Sequence, residues 1–582
     1  MDEILITVIT EDGGEKLVPV RGAGDSGGKS LLEILQGAGA YIPAICGGRG
    51  TCGKCRVRLI SGELEPSAAC RAYFSPAEIE AGFRLACSVR PAGPVSLAIP
   101  KDAEKEFRAV DSFDAGNQRA NALEREDFPL KKQALSFARQ VAGGRKGALS
   151  LDELGRIAVL AETEGGSVSV CRERGRIAAV TRGKEPVYGI AVDIGTTTLA
   201  MALADLESGE IKQRLSVVNK QREFGADVIS RMERAGKGDL AKMSGAVRAQ
   251  IAAGAETLCR DQGVSGKAVA KIAIAGNTTM LHLLLNLSCA TLGVVPFTPV
   301  TLDFVRCSYR ELFEGDLSCP VAILPGISTY VGADISAGLF FTELHKSADP
   351  VFFMDIGTNG EMALVKDGKL LCTATAAGPA FEGGNILWGT GSVPGAISQA
   401  SYRNGRFEIK TIGDKPPTGI CGSAVIDIVY HGLRNGLIED SGKFAAGIGD
   451  LALAKTPAGE DIKFIQKDVR ELQLAKSAIR SGMEALLRHT GTDYGAVKTL
   501  YIAGGFGYNM NFESGAGIGL IPQELKPRVS LIGNSALGGT VKYLLDRDAG
   551  EKIEEIVEQS QEYSLPEDKY FNQIFIENVE FE

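Results

Sequence analysis

Ala44-Ile-Cys46-Gly-Gly-Arg-Gly-Thr-Cys52-Gly-Lys-Cys55 places three cysteines and four glycines within twelve residues. A fourth cysteine, Cys87, follows in Arg84-Leu-Ala-Cys87-Ser88, so the spacing is C-x5-C-x2-C-x31-C. Three thiolates on one tight loop and a fourth from a distant segment can hold a two-iron cluster. The glycines have a physical job in such a loop: the backbone must reach positive φ and bring its N–H groups close to sulfur. Structural zinc is the rival reading, but zinc sites more often pair two short C-x2-C knuckles.

The flanking sequence supplies a small sheet and a helix. Residues 3–9 and 16–20 read as a hairpin turning at Glu11-Asp-Gly-Gly14. Ser30 is a candidate N-cap for a helix through Leu31, Leu32 and Leu35. Residues 55–60 and 95–99 read as further strands. With this context, residues 1–100 resemble a [2Fe-2S] ferredoxin domain, and the five-residue first gap is closer to the adrenodoxin-like branch than to the plant type. The resemblance implies Cys46, Cys52, Cys55 and Cys87 as cluster ligands. Cys70 competes with Cys87 for the fourth place, and Arg-Leu-Ala-Cys fits the ferredoxin pattern better.

A chain of 582 residues implies three or four domains. Apolar and charged fractions of 44% and 23% are those of ordinary globular proteins. A net charge of −9 argues against a nucleic-acid partner. Twelve cysteines, mostly scattered singly, do not make a disulfide scaffold. The start, Met1-Asp-Glu-Ile-Leu5, carries no basic leader, and no apolar run approaches the length of a membrane span. The expectation is a cytoplasmic protein without membrane contact.

Residues 101–125 turn charged and then small and polar, and are read as a flexible linker; a surface helix of the next domain is the alternative. Residues 126–185 form a small middle domain, with an amphipathic helix at 149–160 and short strands at 167–170 and 176–181. Cys171 there reads as a core residue.

From residue 186 a larger module begins. Val187 to Asp193 is a buried strand leading into Asp193-Ile-Gly-Thr-Thr-Thr198, a second strand and the turn Glu207-Ser-Gly-Glu210. Val351 to Asp355 leads likewise into Asp355-Ile-Gly-Thr-Asn-Gly-Glu361, with the same succession of strands, and the two aspartates lie 162 residues apart. Lys271-Ile-Ala-Ile-Ala-Gly-Asn277 and Leu500-Tyr-Ile-Ala-Gly-Gly-Phe-Gly507 form a second matched pair. The module is a duplication.

In an Asp-x-Gly-Thr turn, backbone N–H groups and threonine hydroxyls can face phosphate oxygens, and an aspartate at the strand end suits Mg²⁺ through water. Gly195, Thr196, Thr197 and Thr198 of the first turn, and Gly357, Thr358, Asn359 and Gly360 of the second, are the candidate phosphate contacts. Gly504, Gly505, Phe506 and Gly507 leave room for a nucleoside. This two-lobed arrangement resembles the superfamily of actin, sugar and acetate kinases and heat-shock ATPases. It implies ATP and Mg²⁺ as ligands, with Asp193 and Asp355 in the catalytic site. Glu361 is a candidate to position the attacking water, or else a salt-bridged surface residue. Asp334 and Glu382 rank below it. His282 and Cys421 read as packing residues.

The fold expectation is multidomain: an α+β ferredoxin domain of β-grasp type, a small α/β middle domain and a duplicated, ribonuclease-H-like α/β ATPase module over 186–582. A one-electron cluster joined to such a module resembles the reductive activators of corrinoid proteins. That resemblance implies ATP-supported transfer of one electron to inactive Co(II) in a partner corrinoid protein of a methyltransferase system, drawn from a reduced donor, with a homodimer as one allowed assembly. Two other readings stay open: a redox-sensing small-molecule kinase, and an electron carrier whose nucleotide module only docks.

Overall fold

The computed structural model describes residues 3–9, 15–21, 29–37, 42, 55–99, 112–113, 120–129, 136–141, 149–158, 160, 167–225, 227–457 and 459–581. The expected hairpin turn at 11–14 and the cysteine loop through Lys54 lie outside them.

Strands β1 (Glu3–Ile9), β2 (Glu15–Arg21), β3 (Arg56–Ser61), β4 (Phe83–Leu85) and β5 (Val95–Ala98) form one sheet in the order β2-β1-β5-β3-β4. The helix Leu31–Gly37 starts where the sequence places it. Glu33 Nα donates to Ser30 Oγ at 3.3 Å, and Ser30 Nα donates back to Glu33 Oε2 at 2.7 Å. Its apolar face, Leu31, Leu32 and Leu35, is buried against Ile6, Val57, Leu85 and Leu97.

A three-stranded sheet follows: β6 (Glu124–Pro129), β7 (Ser167–Glu173) and β8 (Arg176–Arg182), paired antiparallel in that order. Here the expected linker ends early. Glu124 and Arg125 belong to β6, because they pair with Arg172 and Cys171 of β7. Phe113 is buried in the large module, and Ala122 is fully buried. Cys171 is buried, as expected of a core residue.

The duplication is present in three dimensions. Strands β9 (Tyr188–Ile194), β10 (Thr198–Asp205), β11 (Ile211–Val218), β12 (Val269–Gly276), β13 (Val305–Ser308) and β14 (Pro320–Ile323) form a sheet in the order β11-β10-β9-β12-β14-β13. The second lobe repeats the plan with β15 (Val351–Ile356), β16 (Gly360–Lys366) and β17 (Lys369–Thr375). Strands β18 (Ala396–Arg403), β19 (Arg406–Thr411) and β20 (Gly419–Ile420) form a small sheet, and β21 (Asp450–Lys455) and β22 (Asp461–Ile465) a hairpin. Then β23 (Thr499–Ala503), β24 (Val529–Gly533) and β25 (Ser560–Glu562) complete the lobe's sheet, β24-β23-β15-β16-β17-β25.

In each lobe the aspartate-bearing strand pairs antiparallel with the next strand. It pairs parallel with the strand of the second matched motif: β12 beside β9 and β23 beside β15. Helix Leu240–Asp261 covers the first sheet with Val247, Ile251 and Leu258. Helix Gln466–Thr490 covers the second with Leu472, Ile479 and Met483.

Two helices cross between the lobes. Ala333–Thr342 follows the first sheet, yet a Cβ on its Gly338 would lie 2.9 Å from Phe353 of β15. Ser535–Leu545 follows the second sheet, yet its Leu544 packs over Gly189 of β9. At the crossing, a Cβ on Gly539 would meet the Ala337 carbonyl oxygen at 1.9 Å. Only glycine allows the two backbones this close.

Candidate functional site

The two Asp-x-Gly-Thr turns face each other across one cleft between the lobes, and the β23 turn forms its third wall. Register fixes the aspartates. Asp193 sits opposite Ala200 and beside Ala275, while Asp355 sits opposite Glu361 and beside Ala503. Opposed residues of an antiparallel pair share a face, so the second lobe presents two carboxylates where the first presents one. The loops differ too: residues 195–198 lie between the innermost pair of the first hairpin, and only 357–359 in the second.

The first turn is held from behind. Asn219 Nδ2 donates to the Gly195 carbonyl at 2.8 Å, and Asn219 Nα donates to the Thr197 carbonyl at 3.0 Å. Asn277 Nδ2 donates to Thr196 Oγ1 at 3.1 Å, and the buried Arg231 guanidinium donates to the Thr196 carbonyl. Across the cleft, Thr197 Oγ1 donates to Glu382 Oε2 at 3.3 Å. In the third wall, Gly504 has φ +87°, and a Cβ there would lie 2.5 Å from Asp355 Oδ1. Phe506 stacks on Phe381 at 4.6 Å between ring centres.

Most of the residues singled out from sequence line this cleft: Asp193, Gly195 to Thr198, Asp355, Gly357 to Asn359, Glu361, and Gly504 to Phe506. The lower-ranked Asp334 and Glu382 line it as well. Gly360 and Gly507 do not. A Cβ on Gly360 would meet Ile479 Cδ1 at 2.0 Å, and one on Gly507 would meet Ile502 Cγ2 at 2.4 Å, so both allow close packing behind the wall. Glu361 is buried, which excludes the surface salt-bridge alternative. His282 is a packing residue whose Nε2 accepts from Val300 Nα at 3.0 Å. Cys421 is buried but lines the cleft at the N-terminus of helix Gly422–Arg434, beside Ser423. Sequence reading missed Phe381, Asn534, and the Thr390 to Ser392 and Gly422–Ser423 segments. Gly-Thr-Gly-Ser at 389–392 was the available signal.

Five carboxyls meet here, and all are pushed up. Burial raises Asp193 to about 6, countered by the bond from Asn534. Burial, then the Asp193 charge, raises Asp334 to about 7. Burial, then Asp334 and Asp193, raises Asp355 to about 7. Burial followed by Asp334 and Asp355 holds Glu361 well above the carboxylate range, and burial raises Glu382. Among the described residues no three His, Cys, Asp or Glu side chains converge tightly enough to ligate one ion directly.

In the first domain, Cys55 and Cys87 come together. Cys87 Nα donates to Cys55 Sγ at 3.4 Å, and Ala86 Nα donates to the Cys55 carbonyl at 2.8 Å. Both are buried, and a backbone N–H directed at sulfur is the setting of a cluster thiolate. Cys46 and Cys52 lie outside the described residues. Cys70 is nearby but differently served: Leu85 Nα donates to its sulfur at 3.3 Å, with Ser67 and Ser88 hydroxyls at 3.4 and 3.5 Å. Burial would raise its thiol, yet these hydrogen bonds bring it below the usual range. The domain rests on the second lobe. The Arg56 guanidinium, next to Cys55, lies 5.6 Å from the Trp388 ring, and Lys467 Nζ donates to the Tyr73 hydroxyl at 2.8 Å.

Among the described residues no helix is long and apolar enough to cross a membrane. Comparison with known proteins agrees with this anatomy. Residues 19–92 match the 2Fe-2S iron-sulfur cluster binding domain, 188–347 the RACo middle region, and 349–582 the C-terminal domain of RACo, the ASKHA domain. The corrinoid activation enzyme RamQ of Eubacterium limosum is 28% identical over 95% of this chain and 96% of its own. The [Co(II) methylated amine-specific corrinoid protein] reductase of Methanosarcina barkeri is 27% identical over 64% of this chain and 73% of its own. The solved structure titled reductive activator for corrinoid, iron-sulfur protein superposes with a TM-score of 0.71 at 30% identity, over 99% of this chain and 98% of that one. With the ferredoxin domain and both lobes matched in order, the chain belongs to the family of reductive activators of corrinoid proteins.

Proposed function

We propose that this chain passes one electron from a [2Fe-2S] cluster, held by Cys46, Cys52, Cys55 and Cys87, to the inactive Co(II) state of a partner corrinoid protein, restoring Co(I) with the support of ATP. The observation that carries the reading is the pairing, in one chain, of a ferredoxin domain with a single cleft between two duplicated lobes. The cluster supplies one-electron storage; the protein buries Cys55 and Cys87 and directs backbone N–H groups at sulfur. In the cleft, the 195–198 and 357–359 turns receive the phosphates, and Gly504 to Phe506 the nucleoside. Asp193 and Asp355 are the residues that would hold Mg²⁺, which would supply charge neutralisation at the phosphates. Burial raises the proton affinity of Glu361 and Glu382; in its ionised form Glu361 would position the attacking water and take its proton, while Glu382 accepts from Thr197 across the cleft. The acceptor belongs to a methyltransferase system, a reduced cytoplasmic donor refills the cluster, and two copies of the chain can pair. ATP contributes only if its bound and hydrolysed states differ in affinity for the partner.

The test is anaerobic. Co(II) corrinoid protein, a strong reductant and this protein are followed by visible spectroscopy with and without ATP. The Co(I) band should appear, and faster with ATP. A Co(I) rate indifferent to ATP would favour the plain electron carrier; phosphorylation of a metabolite in place of water would favour the kinase.

A further inference from the structure

Asn534 joins three parts of the molecule. It is the N-cap of helix Ser535–Leu545, its Oδ1 accepting from Leu537 Nα at 2.8 Å. Its Nδ2 donates to Asp193 Oδ2 at 2.9 Å, the one hydrogen bond to that carboxylate recorded among the described residues. Its own backbone N–H donates to the Ser112 carbonyl at 3.0 Å. Ser112 follows the stretch, residues 100–111, that connects the ferredoxin domain to the rest of the chain.

The neighbouring residues make the same connection. Gly533 has φ +65°, and a Cβ there would come within 2.0 Å of the Ser112 carbonyl oxygen, so no other residue lets the two backbones meet. The Gly533 carbonyl accepts from Gly504 Nα at 3.1 Å, and Gly504 lies against Asp355. One two-residue turn thus touches the aspartate walls of both lobes and the root of the ferredoxin tether. Phe113 is seated beside it, buried between the crossing helices. It is edge-on to Phe341 of Ala333–Thr342, with ring centres 5.9 Å apart, and 3.1 Å from where a Cβ on Gly538 of Ser535–Leu545 would stand. The Arg214 guanidinium closes its other side, 4.9 Å from the ring centre. Phe113 thus packs on both helices that cross between the lobes, where a change in the angle between the lobes would be felt.

We infer that Ser112–Phe113 is a latch that fastens the ferredoxin tether to the nucleotide cleft, with Asn534 as the positioning residue that orients Asp193 and reports lobe closure to the tether. The inference rests on the nucleotide reading of the cleft proposed above.

The experiment uses the full chain with a non-hydrolysable ATP analogue and Mg²⁺, read by amide hydrogen exchange and by ATP hydrolysis. In the wild type, the analogue should slow exchange at the cleft turns, 193–198 and 355–360, and at the Asn534 amide, whose acceptor is Ser112. Phe113→Ala should keep the protection at the cleft turns while the Asn534 amide exchanges about fivefold faster, the loss of one hydrogen bond. Asn534→Ser retains a capping oxygen, so the helix should stay and the melting temperature hold. The bond to Asp193 is lost, and kcat should fall about tenfold to a hundredfold with KM for ATP little changed. Wild-type kcat in Asn534→Ser would overturn the positioning role. Protection of the cleft turns without any change at Asn534, in both wild type and Phe113→Ala, would overturn the latch alone. No protection anywhere would overturn the nucleotide reading and the latch with it.

Discussion

Cys70 and Cys87 are both buried cysteines close to Cys55 in the fold, and what separates them is the company each keeps. Cys70 has its sulfur satisfied by Leu85 N–H and two serine hydroxyls. Cys87 turns its N–H to the sulfur of Cys55, which brings the two cysteines together. Cys87→Ser should therefore lose or shift the cluster, and Cys70→Ser should keep it. Iron, sulfide and the EPR signal of the reduced protein, measured anaerobically, decide; a normal cluster in Cys87→Ser with loss in Cys70→Ser would reverse the assignment. The cleft carboxyls make a second prediction, for the protein free of nucleotide and Mg²⁺. Their ordinary values are 3.8 for Asp and 4.5 for Glu, while Asp193, Asp334 and Asp355 stand at about 6, 7 and 7 in the fold. The folded state then holds more protons than the unfolded one between those limits. Their stabilising contribution is complete below about pH 4 and is lost as pH rises through 6 to 7. The melting temperature should drop between about pH 5 and 8, and less steeply in Asp355→Asn. Equal slopes in the two proteins would show that Asp355 is not held above its ordinary range.

At the scale of elements, the cleft depends on three turns whose backbones approach closely, and glycine at 504 is the one pressed against a cleft aspartate. A Cβ there meets Asp355 Oδ1 at 2.5 Å and the Ile356 carbonyl at 2.7 Å, on top of a φ of +87°. Gly504→Ala should abolish ATP hydrolysis by displacing Asp355 while leaving the cluster spectrum intact. Gly491 provides the control. It too has positive φ, at a helix C-terminus, but its Cβ would meet nothing within 4 Å. Gly491→Ala should cost about 1 kcal/mol of stability and leave turnover alone. Hydrolysis surviving in Gly504→Ala would mean that this turn does not face the nucleotide. The duplicated strand-turn-strand unit was legible in the chain because an Asp-x-Gly-Thr turn between apolar strands is a local pattern, repeated with its neighbours. Asn534 and Phe381 were not legible, because their roles depend on which distant segments the sheet order brings beside them. Phe113 was hidden for a related reason: one aromatic residue in a polar stretch reads as linker, and its burial is decided by two helices more than two hundred residues downstream. The same effect moved the boundary at Glu124, whose strand is stabilised only by pairing with β7.

For the whole molecule the question is how far the ferredoxin domain can travel. Between Ile99 and Ser112 lie residues 100–111, so whatever their conformation the chain spans at most roughly 45 Å. The domain rests close to the nucleotide cleft. Trp388, the only tryptophan in the chain, receives Arg56 from the ferredoxin side, and its neighbours Thr390 to Ser392 line the cleft. Lys467 binds Tyr73 alongside, its Nζ 5.0 Å from the ring centre. We propose that this contact opens when the electron is delivered to a cobalt in another protein. Exposed cation–π contacts contribute about 0.5 to 1 kcal/mol each, so removing both should shift the balance toward the undocked state by about fivefold to thirtyfold. Trp388 reports that balance, since undocking exposes a half-buried indole to water and moves its emission to longer wavelength. In the wild type the shift should require the corrinoid partner and ATP together. In Arg56→Ala/Lys467→Ala it should be present already in the isolated protein, and Co(I) should form with less dependence on ATP. Emission in the double variant identical to wild type, with or without partner, would mean that the ferredoxin domain does not rest on Trp388 in solution, and that ATP acts on partner docking alone.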